Sequence, residues 1–122
     1  MKNRNLLESF ICAFSGVSET IKKERNFKIQ VCSAICALLL AMLLKISVIE
    51  FICVLVSISM VLTAELINTA IEAAIDLFSG GKYHIFAKAA KDAAVGAVLI
   101  ASVNAVAVGV AVFLKRLINV FF

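Results

Sequence analysis

Large apolar residues near the start of the chain fall on one stripe. Leu6, Phe10, Phe14, Val17 and Ile21 stand four, four, three and four residues apart, while Glu8, Ser15, Glu19 and Lys22 lie off it. Spacing of this kind marks one face of an α-helix. The segment is too polar to cross a bilayer. Residues 6–28 are therefore expected to form an amphipathic helix in the membrane interface, with Lys22, Lys23 and Arg25 near the headgroups. Packing of this helix on the cytoplasmic side of the protein is the alternative.

Beyond it the pattern changes to long apolar runs, each near the roughly 20 residues needed to cross about 30 Å of hydrocarbon. Three spans are expected, over 29–49, 51–78 and 93–114, with Glu50 at a very short turn between the first two. Lys45, near the far end of the first run, can extend its ammonium to the interface. The third run is rich in Ala, Val, Gly and Ser, small side chains that let helices approach closely, and its Asn104 suits a hydrogen bond between helices. A short helix is also expected over 87–94, carrying Lys88, Lys91 and Asp92.

Composition supports this pattern. Hydrophobic residues make up 63% of the 122 and mean hydropathy is +1.08, well above the roughly 45–50% apolar share of soluble domains. Alternation with a period of two is absent, which disfavours a closed barrel. The expectation is an all-α membrane protein with one domain over 1–122. No apolar stretch with a small-residue cleavage site occurs in 1–28, so a retained N-terminus is expected.

Charge sets the expected orientation. Six of the Lys and Arg residues lie in 1–28 and three more are Lys82, Lys88 and Lys91, against Lys45, Lys115 and Arg116 on the other side. The positive-inside rule then puts the N-terminus and the loop after the second span in the cytoplasm. Because the basic residues flank apolar runs, the net charge of +4 reads as topology and headgroup contact, and no nucleic-acid partner is expected. Cys12, Cys32, Cys36 and Cys53 lack zinc-type spacing and read as small apolar residues.

Candidate chemistry sits in the second span. Glu65, Asn68, Glu72 and Asp76 are offset by 0, 3, 7 and 11 residues, so at 100° per residue they share a face about 80° wide. A carboxylate at the bilayer centre costs about 2.5–3.5 kcal/mol on insertion scales. A divalent cation and basic partners would offset that cost. Lys88 and Lys91 lie in the following segment, and Glu24 adds a carboxylate at the same membrane level. Acids for Mg²⁺ and lysines for polyphosphate are what phosphoryl transfer by positioning and charge neutralisation requires.

Two other readings of the acidic face stand beside this one. The acids could pair with lysines simply to hold a bundle together, or they could line an ion or proton path. Against a path, the stretch 51–62 offers only Ser57 and Ser59 as polar groups. Ser79-Gly80-Gly81-Lys82 lacks the full phosphate-loop pattern, and Gly80 and Gly81 are expected to end the helix with a left-handed cap. His84, the only histidine, could be structural or touch a ligand.

Glu65-Leu-Ile-Asn-Thr-Ala-Ile-Glu72-Ala-Ala-Ile-Asp76, followed by Ala87-Lys-Ala-Ala-Lys-Asp-Ala-Ala94, closely resembles the signature of the prokaryotic diacylglycerol kinase and undecaprenol kinase family. The likeness extends over nearly the whole chain, including Glu24-Arg-Asn-Phe27. It implies a homotrimer in a bacterial plasma membrane, with composite sites at the cytoplasmic interface and Mg²⁺ carried on ATP. By resemblance, Glu65 is the general base toward the lipid hydroxyl, and Glu24 and Glu72 are Mg²⁺ ligands. Asn68, Asp76, Lys91 and Asp92 organise nucleotide and phosphates, while Lys82, Tyr83 and His84 cover the nucleotide. Gln30 stands where the proteobacterial branch has a second glutamate, which makes the chain look more like the branch that phosphorylates undecaprenol. Undecaprenol is the expected acceptor, with diacylglycerol as the alternative. A non-catalytic ion-conducting or scaffold oligomer is the rival of a different class.

Overall fold

A computed structural model describes residues 5–122. Within them the chain forms α1 (Leu6–Lys23), α2 (Arg25–Leu43), α3 (Val48–Ser79) and α4 (Ile85–Gly109). A π-helical turn, Val110–Leu114, then carries α4 without a break into α5 (Lys115–Phe121). No strand occurs among the described residues. Three helical stretches, Arg25–Leu43, Val48–Ser79 and Ile85–Phe121, are long and apolar enough to cross a membrane. The protein is an all-α membrane protein.

Local chemistry sets where each helix starts and stops. Asn5 caps α1 by accepting a 2.8 Å hydrogen bond from the Glu8 amide on its side-chain oxygen. A single extended residue, Glu24, separates α1 from α2. Its amide still donates to Thr20 O, and its carbonyl already accepts from Lys28 N. The first span therefore begins at Arg25, earlier than residue 29, and Phe27 becomes the most completely buried large side chain.

The turn between α2 and α3 lies at 44–47 rather than at Glu50. Lys45 is left-handed at φ 51, with Lys45 N donating to Met42 O and Ile46 N to Ala41 O. That pair of bonds is a Schellman closure, here built on a non-glycine residue. Glu50 lies one turn inside α3, where it completes a capping box: its amide donates to Ser47 Oγ and its carboxylate accepts from Ser47 N. At the other end of α3, Gly80 and Gly81 adopt φ 65 and 77. This is the left-handed cap expected from the sequence.

The short helix expected at 87–94 and the third span are one continuous helix from Ile85. Hydropathy marks where lipid begins, whereas the backbone hydrogen-bond ladder runs on through the charged turns that precede it.

α3 and α4 pack along much of their length, and α2 lies more lightly on α3. Small residues make this possible, since Ala94 and Ala101 are buried on α4 and Val54 on α3. Asn104 donates to Ser57 Oγ at 3.3 Å, the interhelical bond expected of it, and satisfies a hydroxyl that is only 4% exposed. Large apolar residues elsewhere face outward, including Leu99, Ile100 and Val103 on α4. On α1 the stripe of Leu6, Phe10 and Phe14 is open as well. Such surface calls for lipid or another protein chain as its neighbour.

Candidate active site

Helical periodicity gathers the acidic face of α3, and burial grades it. Glu65 and Asn68 are buried, Glu72 is half-buried and Asp76 is exposed, so the face runs from the interior of the bundle to its polar end.

At the inner end, Gln30 on α2 donates from Nε2 to Glu65 Oε2 at 3.3 Å. Nothing else among the described residues bonds to this carboxylate. Two buried acceptors nearby in the fold lack donors: Gln30 Oε1 and Asn68 Oδ1. Orphaned buried oxygens are uncommon in folded proteins, and each is an acceptor still without a donor.

At the outer end of the face, Lys91 on α4 donates to Asp76 Oδ1 at 2.5 Å. One turn earlier on α4, Lys88 pairs with Asp92, also at 2.5 Å. Asp76, Lys82, Tyr83, His84, Lys91 and Asp92 all line a single cavity of about 440 Å³ between the end of α3 and the start of α4. Six of the seven residues expected to bind nucleotide thus meet in one place, and Lys88 joins them. Asn68, the seventh, lies deeper along α3.

His84 has a structural duty. It caps α4, its Nδ1 accepting from Phe86 N at 3.2 Å, and its ring lies 5.6 Å from that of Phe86. Bonding at Nδ1 leaves Nε2 without a partner among the described residues.

Glu24 and Glu72 stand apart from these ion pairs. Neither side chain makes a hydrogen bond or ion pair among the described residues, and Glu24 caps α2 without using its carboxylate. Their levels agree. From the Gln30–Glu65 contact, Glu24 is six residues back along α2, about 9 Å, and Glu72 is seven residues on along antiparallel α3, about 10.5 Å. No three acidic, histidine or cysteine side chains form a metal cage among the described residues. That donor set suits Mg²⁺, which is commonly held by one or two carboxylates together with substrate phosphates and water.

Gln30, which the sequence served only to choose between branches, is the residue that the fold sets against Glu65. Its only signal was the departure from the second glutamate of a related pattern. The Gly80-Gly81 pair takes no part in a strand-to-helix phosphate loop, since it follows a helix.

The model of the prokaryotic diacylglycerol kinase family matches residues 11–113. The chain is 40% identical over 110 residues to an undecaprenol kinase of Bacillus subtilis (strain 168), covering 90% of this chain and 89% of the relative. It is also 40% identical over 115 residues to a diacylglycerol kinase of a Synechocystis strain, covering 94% of this chain and 66% of that longer relative.

Proposed function

The chain belongs to the prokaryotic diacylglycerol kinase family and is a lipid kinase; from that premise we propose that it transfers the γ-phosphoryl group of Mg-ATP to the hydroxyl of undecaprenol at the cytoplasmic face of a bacterial plasma membrane. The observation that carries this reading is the graded polar face of α3. A buried carboxylate, Glu65, stands at its lipid end and an acid-and-lysine cavity opens at its other end.

Glu65 is the base. It receives the hydroxyl proton while the alcohol oxygen attacks the γ-phosphorus in line, and ADP leaves with the bridging oxygen. The step needs no covalent enzyme intermediate. Lys91 and Lys82 offer ammonium groups to phosphate oxygens. Asp76 and Asp92 hold two of the three cavity lysines, Lys91 and Lys88, in place until nucleotide arrives. Tyr83 and His84 form the wall that covers the nucleotide, and Asn68 offers its free carbonyl oxygen between cavity and base. Glu24 and Glu72 would hold Mg²⁺, which when bound neutralises charge on the phosphates as the transferring bond breaks.

About 16 Å of helix separates Asp76 from Glu65, a distance that an extended triphosphate and its acceptor can share. A homotrimer accounts for the large apolar residues left open on α3 and α4, and it allows one chain's nucleotide cavity to sit beside another chain's lipid face. Undecaprenol is favoured over diacylglycerol by the even coverage of the Bacillus relative and by the amide at Gln30.

Purified protein in detergent micelles, given radiolabelled ATP and each alcohol in turn, tests the proposal. Label is expected in the undecaprenol product. Label in diacylglycerol alone would reassign the substrate, and label in neither would overturn the activity.

A further inference from the structure

Glu65 has two oxygens, and the fold treats them differently. Oε2 accepts the amide proton of Gln30. Oε1 accepts nothing among the described residues. Gln30 itself is used only in half. Its Nε2 serves Glu65, while its Oε1 is buried with no donor. Reversing the amide would set its carbonyl against the Glu65 oxygen, so this contact fixes which end of Gln30 points away.

The same residue stands at the mouth of an apolar cleft of about 210 Å³. Ala34 and Ala37 line this cleft on α2, Val54, Ser57 and Val61 on α3, and Gly109 on α4. From Gln30 the cleft runs away from the nucleotide cavity and into the apolar part of the bundle. A chain lying in it would carry its terminal hydroxyl to Gln30, the residue bonded to Glu65. That hydroxyl is a donor, which is what the unpartnered carbonyl lacks.

We infer that Gln30 is a positioning residue for phosphoryl transfer: its amide N–H holds Glu65 Oε2 so that Oε1 is the proton acceptor, and its carbonyl oxygen receives the hydroxyl of the incoming alcohol before transfer. In the reaction the O–H hydrogen passes to Glu65 Oε1. The alcohol oxygen bonds to the γ-phosphorus, and the bond from that phosphorus to the β–γ bridging oxygen breaks as ADP departs. This inference rests on the assignment of Glu65 as base.

The test is a steady-state comparison of wild type, Gln30→Leu and Gln30→Asn in micelles, with the alcohol and ATP varied separately. Gln30→Leu removes both hydrogen bonds, and one bond to a charged group is enough to cost about 10- to 100-fold. kcat/KM for the alcohol should fall by that factor while KM for ATP changes less than about twofold. Gln30→Asn, which retains the amide on a shorter arm, should recover part of the loss. An unchanged KM for ATP shows in the same assay that the variants are folded. Wild-type kcat/KM for the alcohol in Gln30→Leu, or parallel changes in both KM values in both variants, would overturn the inference. Failure of the wild-type chain to phosphorylate any alcohol would instead overturn the parent reading, and this one with it.

Discussion

Lys91 Nζ lies 2.5 Å from Asp76 Oδ1, joining the end of α3 to the start of α4 across 15 residues of sequence. Both side chains are substantially exposed, so the pair adds little to stability. In the proposed reaction its value is that it holds a lysine ready over the cavity, where phosphate oxygens would take the place of the carboxylate. Lys91→Ala is expected to raise KM for ATP by about tenfold or more, since it removes a charge-assisted contact, with little change in thermal midpoint. Initial rates across an ATP series, together with a melting curve in the same detergent, check both halves. A large drop in melting temperature with normal ATP kinetics would make the pair structural.

Glu65 supports a sharper expectation. Glu65→Gln keeps shape and burial but cannot take a proton, and general-base catalysis contributes about 10²–10⁴-fold. Transfer to the alcohol should fall by that factor, while nucleotide affinity, measured with a fluorescent ATP analogue, stays within about twofold of wild type. Near-normal turnover would remove Glu65 from the base role.

How much of this was legible beforehand differs from feature to feature. The acidic face of α3 could be read directly, because helical periodicity alone decides whether Glu65, Asn68, Glu72 and Asp76 point the same way. The Gly80-Gly81 stop was equally plain, since few residues other than glycine take that backbone readily. The break at Glu24 was not, because it involves neither Gly nor Pro and interrupts the ladder for only one residue. Nor was the bond between Gln30 and Glu65, which depends on how two antiparallel helices are registered over 35 residues. Hydropathy placed the start of the third span at residue 93, because it senses the solvent, whereas the helix itself begins at Ile85.

Metal dependence should separate Glu72 from Glu65. Glu72 is half-buried and free of protein partners among the described residues, in keeping with a carboxylate left for a cation. Glu72→Ala should shift the Mg²⁺ concentration for half-maximal rate upward by about tenfold or more, within the 10–100-fold range reported for losses around metal sites. Saturating Mg²⁺ should recover part of kcat. A Mg²⁺ titration identical to wild type would rule out the ligand role, and Glu24→Ala, taken through the same titration, asks whether the second carboxylate acts at the same ion.

The opposite end of the bundle should govern stability without touching catalysis. Ser47 caps α3, and Glu50 closes the box while also accepting from Arg116 Nη2 at 2.5 Å, so one carboxylate ties the α2–α3 turn to the far end of the third span. Arg116 Nε is buried there without an acceptor, which leaves the guanidinium dependent on this one bond. Ser47→Ala should cost about 1 kcal/mol through loss of the N-cap, read as a lower thermal or denaturant midpoint in micelles. Glu50→Gln should lower the midpoint further, because the same atom serves both the cap and Arg116. kcat and both KM values should stay near wild type at temperatures well below the midpoint, since about 22 Å of α3 separates Glu50 from Glu65. A selective loss of alcohol turnover in Glu50→Gln, with an unchanged midpoint, would mean that this end of the bundle shapes the lipid cleft and does not merely hold the helices together.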